Sequence, residues 1–492
     1  MLVWRPVALF CLLAAVPASA QNPDLAAIDR EVREALRQWE VPGVAVVIVR
    51  RDRVDVTKGF GVSELGTARP VKADTLFPIA SCTKSFTSAA LAMLVGQDKV
   101  AWNDPVGKHL PEFHLSDPNA DGLVTVRDLL CHRTGVGSHD YLWYRAPWSQ
   151  DEMIRRTGLM PLTGQFRSSF AYQSVMFMAA GKIIGKHDVD GWDGFVRRRL
   201  FTPLGMSSTV TTSAEAAKKD NLSRGHKRRR DGKIIEMDYY PMPEPNAAGS
   251  IHTTAKDLAH WLQFQLGDGT WHGHRLISAD AFAETHHAQN IIPSNDLTRA
   301  MNPESVQLTY GMGWVISDYR GTKVWSHAGL IDGFRCQFTV LPDPGLAIGL
   351  MANLHATKMN LALANRLVDL LLDLPERDWH SHYLAIQKSE DRASEAAEKR
   401  REDTRKKDNK PTLPLDAYAN RYEHAAFGEA VVRVEGERLK WAWGAFKRDL
   451  LPYDGNTFEL RDVMIDVQDV TFTIEAGRVT KMKALGVEFV RN

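Results

Sequence analysis

Ser81 and Lys84 lie three residues apart in Ser81-Cys82-Thr83-Lys84, at the opening of a stretch in which Phe86, Ala90, Met93 and Leu94 recur at helical spacing. On an α-helix a step of three turns the chain by about 300° and advances it by about 4.5 Å, so both side chains share a face and a hydroxyl can touch an amine. That contact can make a serine nucleophilic. A serine in the first helical turn also keeps its backbone N–H free of any intrahelical acceptor, at the positive end of the helix dipole, where it can face an oxyanion. Cys82, on another face of the same helix, is a rival nucleophile. Ser-x-x-Lys alone is a weak motif, because a chain this long shows about one by chance. Two further candidates are Tyr172, in Tyr172-Gln173-Ser174 just ahead of an apolar run from Met176 to Ile183, and His327 in His327-Ala328-Gly329.

The elements that must hold these residues are legible in outline. Leu25, Ile28, Val32, Leu36 and Trp39 form a 3.6-residue stripe, which predicts an amphipathic helix ending near Val41-Pro42-Gly43. Val44 to Val49 and Val54 to Phe60 flank Arg51-Asp52-Arg53 as a hairpin. Helical and loop signals run from Asp104 to about Thr209, and the basic run ending at Arg230 reads as a hairpin arm before Asp231-Gly232. Gly313 to Asp318, Lys323 to His327, Phe334 to Leu341 and Leu346 to Met351 are strands whose short connections favour antiparallel pairing. A helix from about Leu361 to Leu372 closes this unit, which spans 21–375.

Residues 376–410 carry dense charge and read as a solvated helical linker, with Glu395 and Lys399, Glu402 and Lys406, and Asp403 and Lys407 at i,i+4 spacing. From 411 to 492 the pattern changes to short alternating runs, such as Leu439 to Trp443 and Val470 to Ile474, split by Glu435-Gly436, Asp454-Gly455 and Ala476-Gly477. That predicts a small all-β, lipocalin-like barrel or sandwich.

Arg5, the apolar run Val7 to Val16 and Ala18-Ser19-Ala20 make residues 1–20 a signal peptide, so the mature chain is expected in the periplasm or secreted. No later stretch is long and apolar enough to anchor it in a membrane. The net charge of +1 leaves no field that favours nucleic acid or an anionic surface. Cys82, Cys131 and Cys336 read as small core residues. His272-Gly273-His274 and His380-Ser381-His382 lack the acidic or third-histidine partner a metal needs, so neither a metal nor another cofactor is expected.

Five segments together carry a resemblance: Phe77 to Lys84, Leu129 to Gly135, Tyr172-Gln173-Ser174, Ala247 to Ile251 and Trp325 to Gly329. In order and spacing they resemble the serine β-lactamase superfamily, on the branch of class C β-lactamases, D-aminopeptidases and carboxylesterases, over residues 24 to 375. The implied fold is α+β, a β-lactamase/transpeptidase-like antiparallel sheet flanked by helices with a helical subdomain, followed here by the barrel. The resemblance makes Ser81, Lys84, Tyr172 and His327 catalytic, places Leu330, Ser174 and Gly329 at the oxyanion and substrate positions, and gives His132 a structural role.

Two departures bear on substrate. Ser174 stands where β-lactamases of this branch carry an asparagine, and His327-Ala328-Gly329 stands where Lys-Thr-Gly would grip a carboxylate. Both favour peptides with a D-residue, amides or esters, and so a D-aminopeptidase, amidase or carboxylesterase working through an acyl-serine on a small molecule or short peptide. A β-lactamase or DD-carboxypeptidase and a non-catalytic peptide receptor are the alternatives. A charged Lys84 favours a Tyr172 phenolate and a neutral Tyr172 favours a free amine, so the two are expected to share one proton and act together as base. In D-aminopeptidase-like relatives a C-terminal barrel approaches the cleft, which implies that residues 411–492 restrict substrate size or mediate a homo-oligomer.

Overall fold

A computed structural model describes residues 24–242, 244–405, 410–461 and 467–492. The signal-peptide reading of 1–20 and the Glu402–Lys406 and Asp403–Lys407 pairs therefore lie outside the described residues.

Asp24 accepts from the Ala26 and Ala27 N–H groups and starts α1 (Leu25–Trp39), whose buried Ile28, Val32, Ala35 and Trp39 form one stripe. The chain then forms β1 (Gly43–Arg50) and β2 (Val54–Gly61), while β3 (Asn290–Ile291), β4 (Thr309–Tyr310), β5 (Val315–Tyr319), β6 (Thr322–Ile331), β7 (Phe334–Leu341) and β8 (Leu346–Ala352) follow far downstream. They make one antiparallel sheet in the order β2-β1-β8-β7-β6-β5-β4-β3. The interior strand β1 is apolar at nearly every position because both its faces are covered. Val44, Val46 and Ile48 meet α1 and α5 (Met359–Leu371) on one side. Ala45, Val47 and Val49 join the larger core on the other, built around α2 (Thr83–Val95), α3 (Ser174–Gly185) and α4 (Ala255–Leu266). Every residue of α2 from Thr83 to Leu94 is buried, which a helix wrapped on all sides requires.

The charged segment differs from its expected solvated state. Helix α6 (Trp379–Thr404) buries Trp379 and Tyr383 against the sheet's helical cover, with the Trp379 indole N–H donating to Asp369 at 2.7 Å. Its far end docks on the barrel, where the fully buried Glu459 takes Arg401, Arg405 and Arg461. Burial alone would raise the Glu459 carboxyl, but the three guanidinium groups overcome it and hold the group at about 2. Glu398 pairs with Arg230 and Arg461, whereas among the described residues no ion pair joins Glu395 to Lys399.

Residues beyond 411 form a closed eight-stranded barrel: β9 (Asn420–His424), β10 (Gly428–Glu435), β11 (Arg438–Trp443), β12 (Phe446–Asp454), β13 (Thr457–Leu460), β14 (Gln468–Glu475), β15 (Arg478–Ala484) and β16 (Val487–Arg491). Alternate residues such as Leu439, Trp441 and Trp443 fill its interior. Closure leaves the barrel without a free strand edge.

Candidate active site

Residues Phe77–Pro78 pair with His252–Thr253, and the Ile79 N–H donates to the Ile251 carbonyl at 2.9 Å, so the chain enters the site as extended structure. It then turns more tightly than expected. Ser81 occupies a short 3₁₀ turn, Ala80–Cys82, directly ahead of α2, with Ala80 in the left-handed region at φ +46°. That conformation costs an alanine about 1–2 kcal/mol and is held by its surroundings. Gly329 of β6 packs against this turn so closely that any side chain there would overlap the Ile79 carbonyl oxygen. The nucleophile's turn and the strand beside it are thus in backbone contact.

The 3₁₀ turn preserves the predicted meeting of side chains. Lys84 Nζ donates to Ser81 Oγ at 3.1 Å, to the Ala248 carbonyl at 3.0 Å and to Ser174 Oγ at 3.4 Å. It is wholly buried, and among the described residues no carboxylate lies within ion-pair distance of it. Burial disfavours the ammonium and brings its pKa to about 7, with a smaller opposing pull from the Asp140 carboxylate. The Tyr172 phenol is pushed in the reverse direction, well above its usual 10, again by burial, although its hydrogen bond with Ser81 favours the phenolate. Its ring lies 5.0 Å from Lys84 Nζ. The environment therefore leaves an amine that is free near neutral pH beside a protonated phenol.

His327 is placed differently from a group that meets substrate. Its Nδ1 lies 2.7 Å from the carbonyl oxygen of Ala328 and its Nε2 2.9 Å from the Tyr310 hydroxyl, which occupies both ring nitrogens. Burial lowers its pKa to about 3, so the ring is neutral and supplies no cation. Tyr310, on the two-residue strand β4, carries no periodicity that sequence reading could have caught. His132, at φ +54°, accepts the Gln173 N–H at 3.1 Å and stacks on Tyr172 with 4.1 Å between centroids, fixing the phenol from behind. Gln173 in turn donates to the carbonyls of Gly137 and Ser138. Tyr310 is the site residue that the sequence did not reveal, while Ala248 and Gln173 stand inside motifs read from the sequence but without the contacts that give them a role.

Leu330 sits at the cleft edge of β6. The two-residue turn Asp332-Gly333 joins the facing pair Ile331 and Phe334, so the ladder's alternation directs the Leu330 N–H away from β7. On that other side β5 runs alongside β6 only as far as the Val315–Ser326 pair. Cys82 is buried, its thiol bonded to the His327 carbonyl at 3.4 Å and its pKa raised by burial, which removes it as a rival nucleophile. His380 accepts from the Trp39 indole and His382 lies against the Ala300 carbonyl, so that pair is taken up in packing.

Comparison with known proteins agrees with this geometry. The β-lactamase family model matches residues 28–373. The chain belongs to the β-lactamase family. Residues 404–489 match a separate domain of unknown function (DUF3471). Among named relatives of this β-lactamase-family chain, an unguisins hydrolase of Aspergillus violaceofuscus is 27% identical over 446 residues, 85% of this chain and 78% of the relative. The fold matches the octameric penicillin-binding protein homologue from Pyrococcus abyssi with a TM-score of 0.64 at 19% identity, over 95% of this chain and 100% of that one. It also matches the D-amino acid amidase from Ochrobactrum anthropi with a TM-score of 0.58 at 23% identity, over 70% and 98% of the two chains. This β-lactamase-family chain is a serine hydrolase.

Proposed function

We propose that the enzyme is exported and cleaves amide or ester bonds of small molecules or short peptides through an acyl-Ser81 intermediate, as a D-aminopeptidase, amidase or carboxylesterase. The observation that carries the mechanism is Lys84 Nζ, buried with no carboxylate in ion-pair reach among the described residues, 3.1 Å from Ser81 Oγ. The free amine takes the Ser81 proton as Oγ attacks the carbonyl carbon, and the backbone N–H groups of Ser81 and Leu330 receive the oxyanion. Tyr172, protonated and hydrogen-bonded with Ser81, passes a proton to the leaving group, and Lys84 replaces it. Water then attacks the acyl-enzyme through the same pair. His327 acts as a neutral strut that aligns β6 through Tyr310.

The substrate class rests on what faces the scissile bond. Ser174 offers a short hydroxyl where an amide would hold an acylamido group, and His327 offers no charge for a carboxylate. A panel of D- and L-aminoacyl p-nitroanilides and p-nitrophenyl esters tests this, with Ser81→Ala as control. Turnover confined to a chromogenic cephalosporin would refute it. One observation favours that second reading: Arg335, which faces Leu330 across the β6–β7 ladder, has no carboxylate partner among the described residues and could take an anionic substrate group. Export is supported by Arg5, the Val7 to Val16 run and Ala18-Ser19-Ala20, and is checked by N-terminal sequencing of the protein recovered from the periplasm or medium.

A further inference from the structure

The barrel touches the catalytic domain along residues 139–160: the loop 139–148 packs on it, and beyond the loop Arg156 donates to the Ala426 carbonyl at 3.0 Å and Met160 joins the barrel core. Leu142 of that loop belongs to the barrel's own apolar core, Trp148 lies edge-on to Trp443 with 5.6 Å between ring centroids, and Tyr141 lies edge-on to Phe446 at 6.4 Å. At the barrel turn between β11 and β12, the backbone of Gly444 comes close to the Arg145 carbonyl and the Pro147 ring. The same loop reaches the other way, into the cleft. Tyr144 donates to one oxygen of Asp332 at 2.6 Å, and Arg145 donates to the other at 2.8 Å.

Asp332 is 3% exposed, and these two side chains donate to its carboxylate. A buried carboxylate held this way fixes both the loop and the turn that carries it. That turn follows Leu330 by two residues on β6 and sets the ladder alternation that sends the Leu330 N–H toward the cleft. Arg145 adopts a left-handed backbone, φ +54°, and stacks its guanidinium over Tyr144 and Tyr240 at 5.5 and 5.6 Å. Unsupported, such a backbone would relax to an ordinary conformation and withdraw both donors.

We infer that the C-terminal barrel is a buttress of the oxyanion site: it holds the 139–148 loop, and the loop, through Tyr144 and Arg145, latches Asp332 and with it the Leu330 N–H. Asp332, Tyr144 and Trp148 are positioning residues and do not contact substrate. The inference rests on the oxyanion reading above and adds to it a reason for the barrel to stay attached to a hydrolase.

The test uses the full chain and the variants Trp148→Ala, Tyr144→Phe, Asp332→Asn and Trp148→Ala with Asp332→Asn. Two measurements are made: amide hydrogen exchange over 328–334, and the rate at which a p-nitrophenyl phosphonate labels Ser81. Trp148→Ala, which alters no residue of β6, should speed exchange in 328–334 and slow labelling about tenfold, as Asp332→Asn does. The double variant should be no slower than the slower single one, since both changes release the same latch. Tyr144→Phe removes one hydroxyl from a partly buried ring and should fold, giving a smaller slowing with the same exchange signature.

Unchanged exchange in 328–334 for Trp148→Ala and Tyr144→Phe, with folded circular dichroism spectra, overturns the latch. So does a double variant whose labelling loss is the product of the single losses. Exchange needs no chemistry at Ser81, so a wild-type protein that takes no label would sink the hydrolase mechanism while the exchange data still decide the latch.

Discussion

Replacing Lys84 by methionine separates two consequences of one buried amine. With a pKa of about 7 in place of 10.5, the group is about half neutral at pH about 7, about nine-tenths neutral at pH about 8 and about one-tenth neutral at pH about 6. If the neutral amine is the base, kcat/KM rises about tenfold between pH about 6 and about 8 and then levels. The same shift acts on stability. The folded state binds this proton more weakly than the unfolded chain, so Lys84 lowers stability fully below pH about 7, and the penalty fades as pH climbs toward 10.5. At pH about 7 the cost reaches about 4 kcal/mol, less what the amine returns through its bonds to Ser81 and the Ala248 carbonyl. Lys84→Met should therefore lose about 10³-fold or more in kcat/KM while gaining about 1–3 kcal/mol in urea denaturation at pH about 6. The gain should shrink by pH about 10. The assays are nitrophenyl ester turnover across that range, with the uncatalysed rate subtracted, and paired urea melts. A wild-type rate that is level from pH about 6 to about 8, together with a variant no more stable than the parent, would refute the reasoning.

Tyr172→Phe should cost about 10²–10⁴ in kcat/KM yet leave the inflection near pH 7, because Lys84 sets it; an inflection that vanishes would assign the proton to the phenol. Gly329→Ala forces a methyl group against the Ile79 carbonyl, and should lower stability by about 1–3 kcal/mol and slow phosphonate labelling, read from urea melts and nitrophenolate release. Burial raises the Asp128 carboxyl, but Arg167, Arg133 and Thr125 outweigh it and hold the group below its ordinary range. Its support is present above pH about 4 and is lost as pH falls through the lowered pKa, so Asp128→Asn should cost about 3–5 kcal/mol near neutrality and less in strong acid, measured by denaturant melts.

What could be read from the sequence was what depends on local period. The Ser81–Lys84 contact follows from three-residue spacing, and survived the substitution of a 3₁₀ turn for the expected helical one. The strands β6, β7 and β8 were bounded by strong turns, and their expected positions agree with the structure to within a few residues. Features that depend on distant chain were not legible. The Ala248 carbonyl meets Lys84 from 164 residues away, and Tyr310 reaches His327 from a strand of only two residues. Ala80 gives no local hint of a left-handed backbone, since its close neighbour Gly329, on the strand beside the turn, is distant in sequence. The charge of 376–410 concealed the buried Trp379 and Tyr383, whose stripe covers only the first turns of α6. Barrel strands β9, β12 and β16 carry no clean alternating run because charged residues and Pro452 interrupt it, and ladder pairing supplies what pattern lacks.

The sheet is completed by residues from opposite ends of its domain: β1 lies against β8, with Val44 beside Ala352. A growing chain, extended at about 5–20 residues per second, must wait for the second partner of β1 until roughly seven-tenths of synthesis is done. Pairing across so long a separation is also intrinsically slow. The sheet that backs α2 cannot be complete before then. Hydrolytic competence therefore arrives late, and the unfinished polypeptide is harmless to its surroundings until the sheet closes.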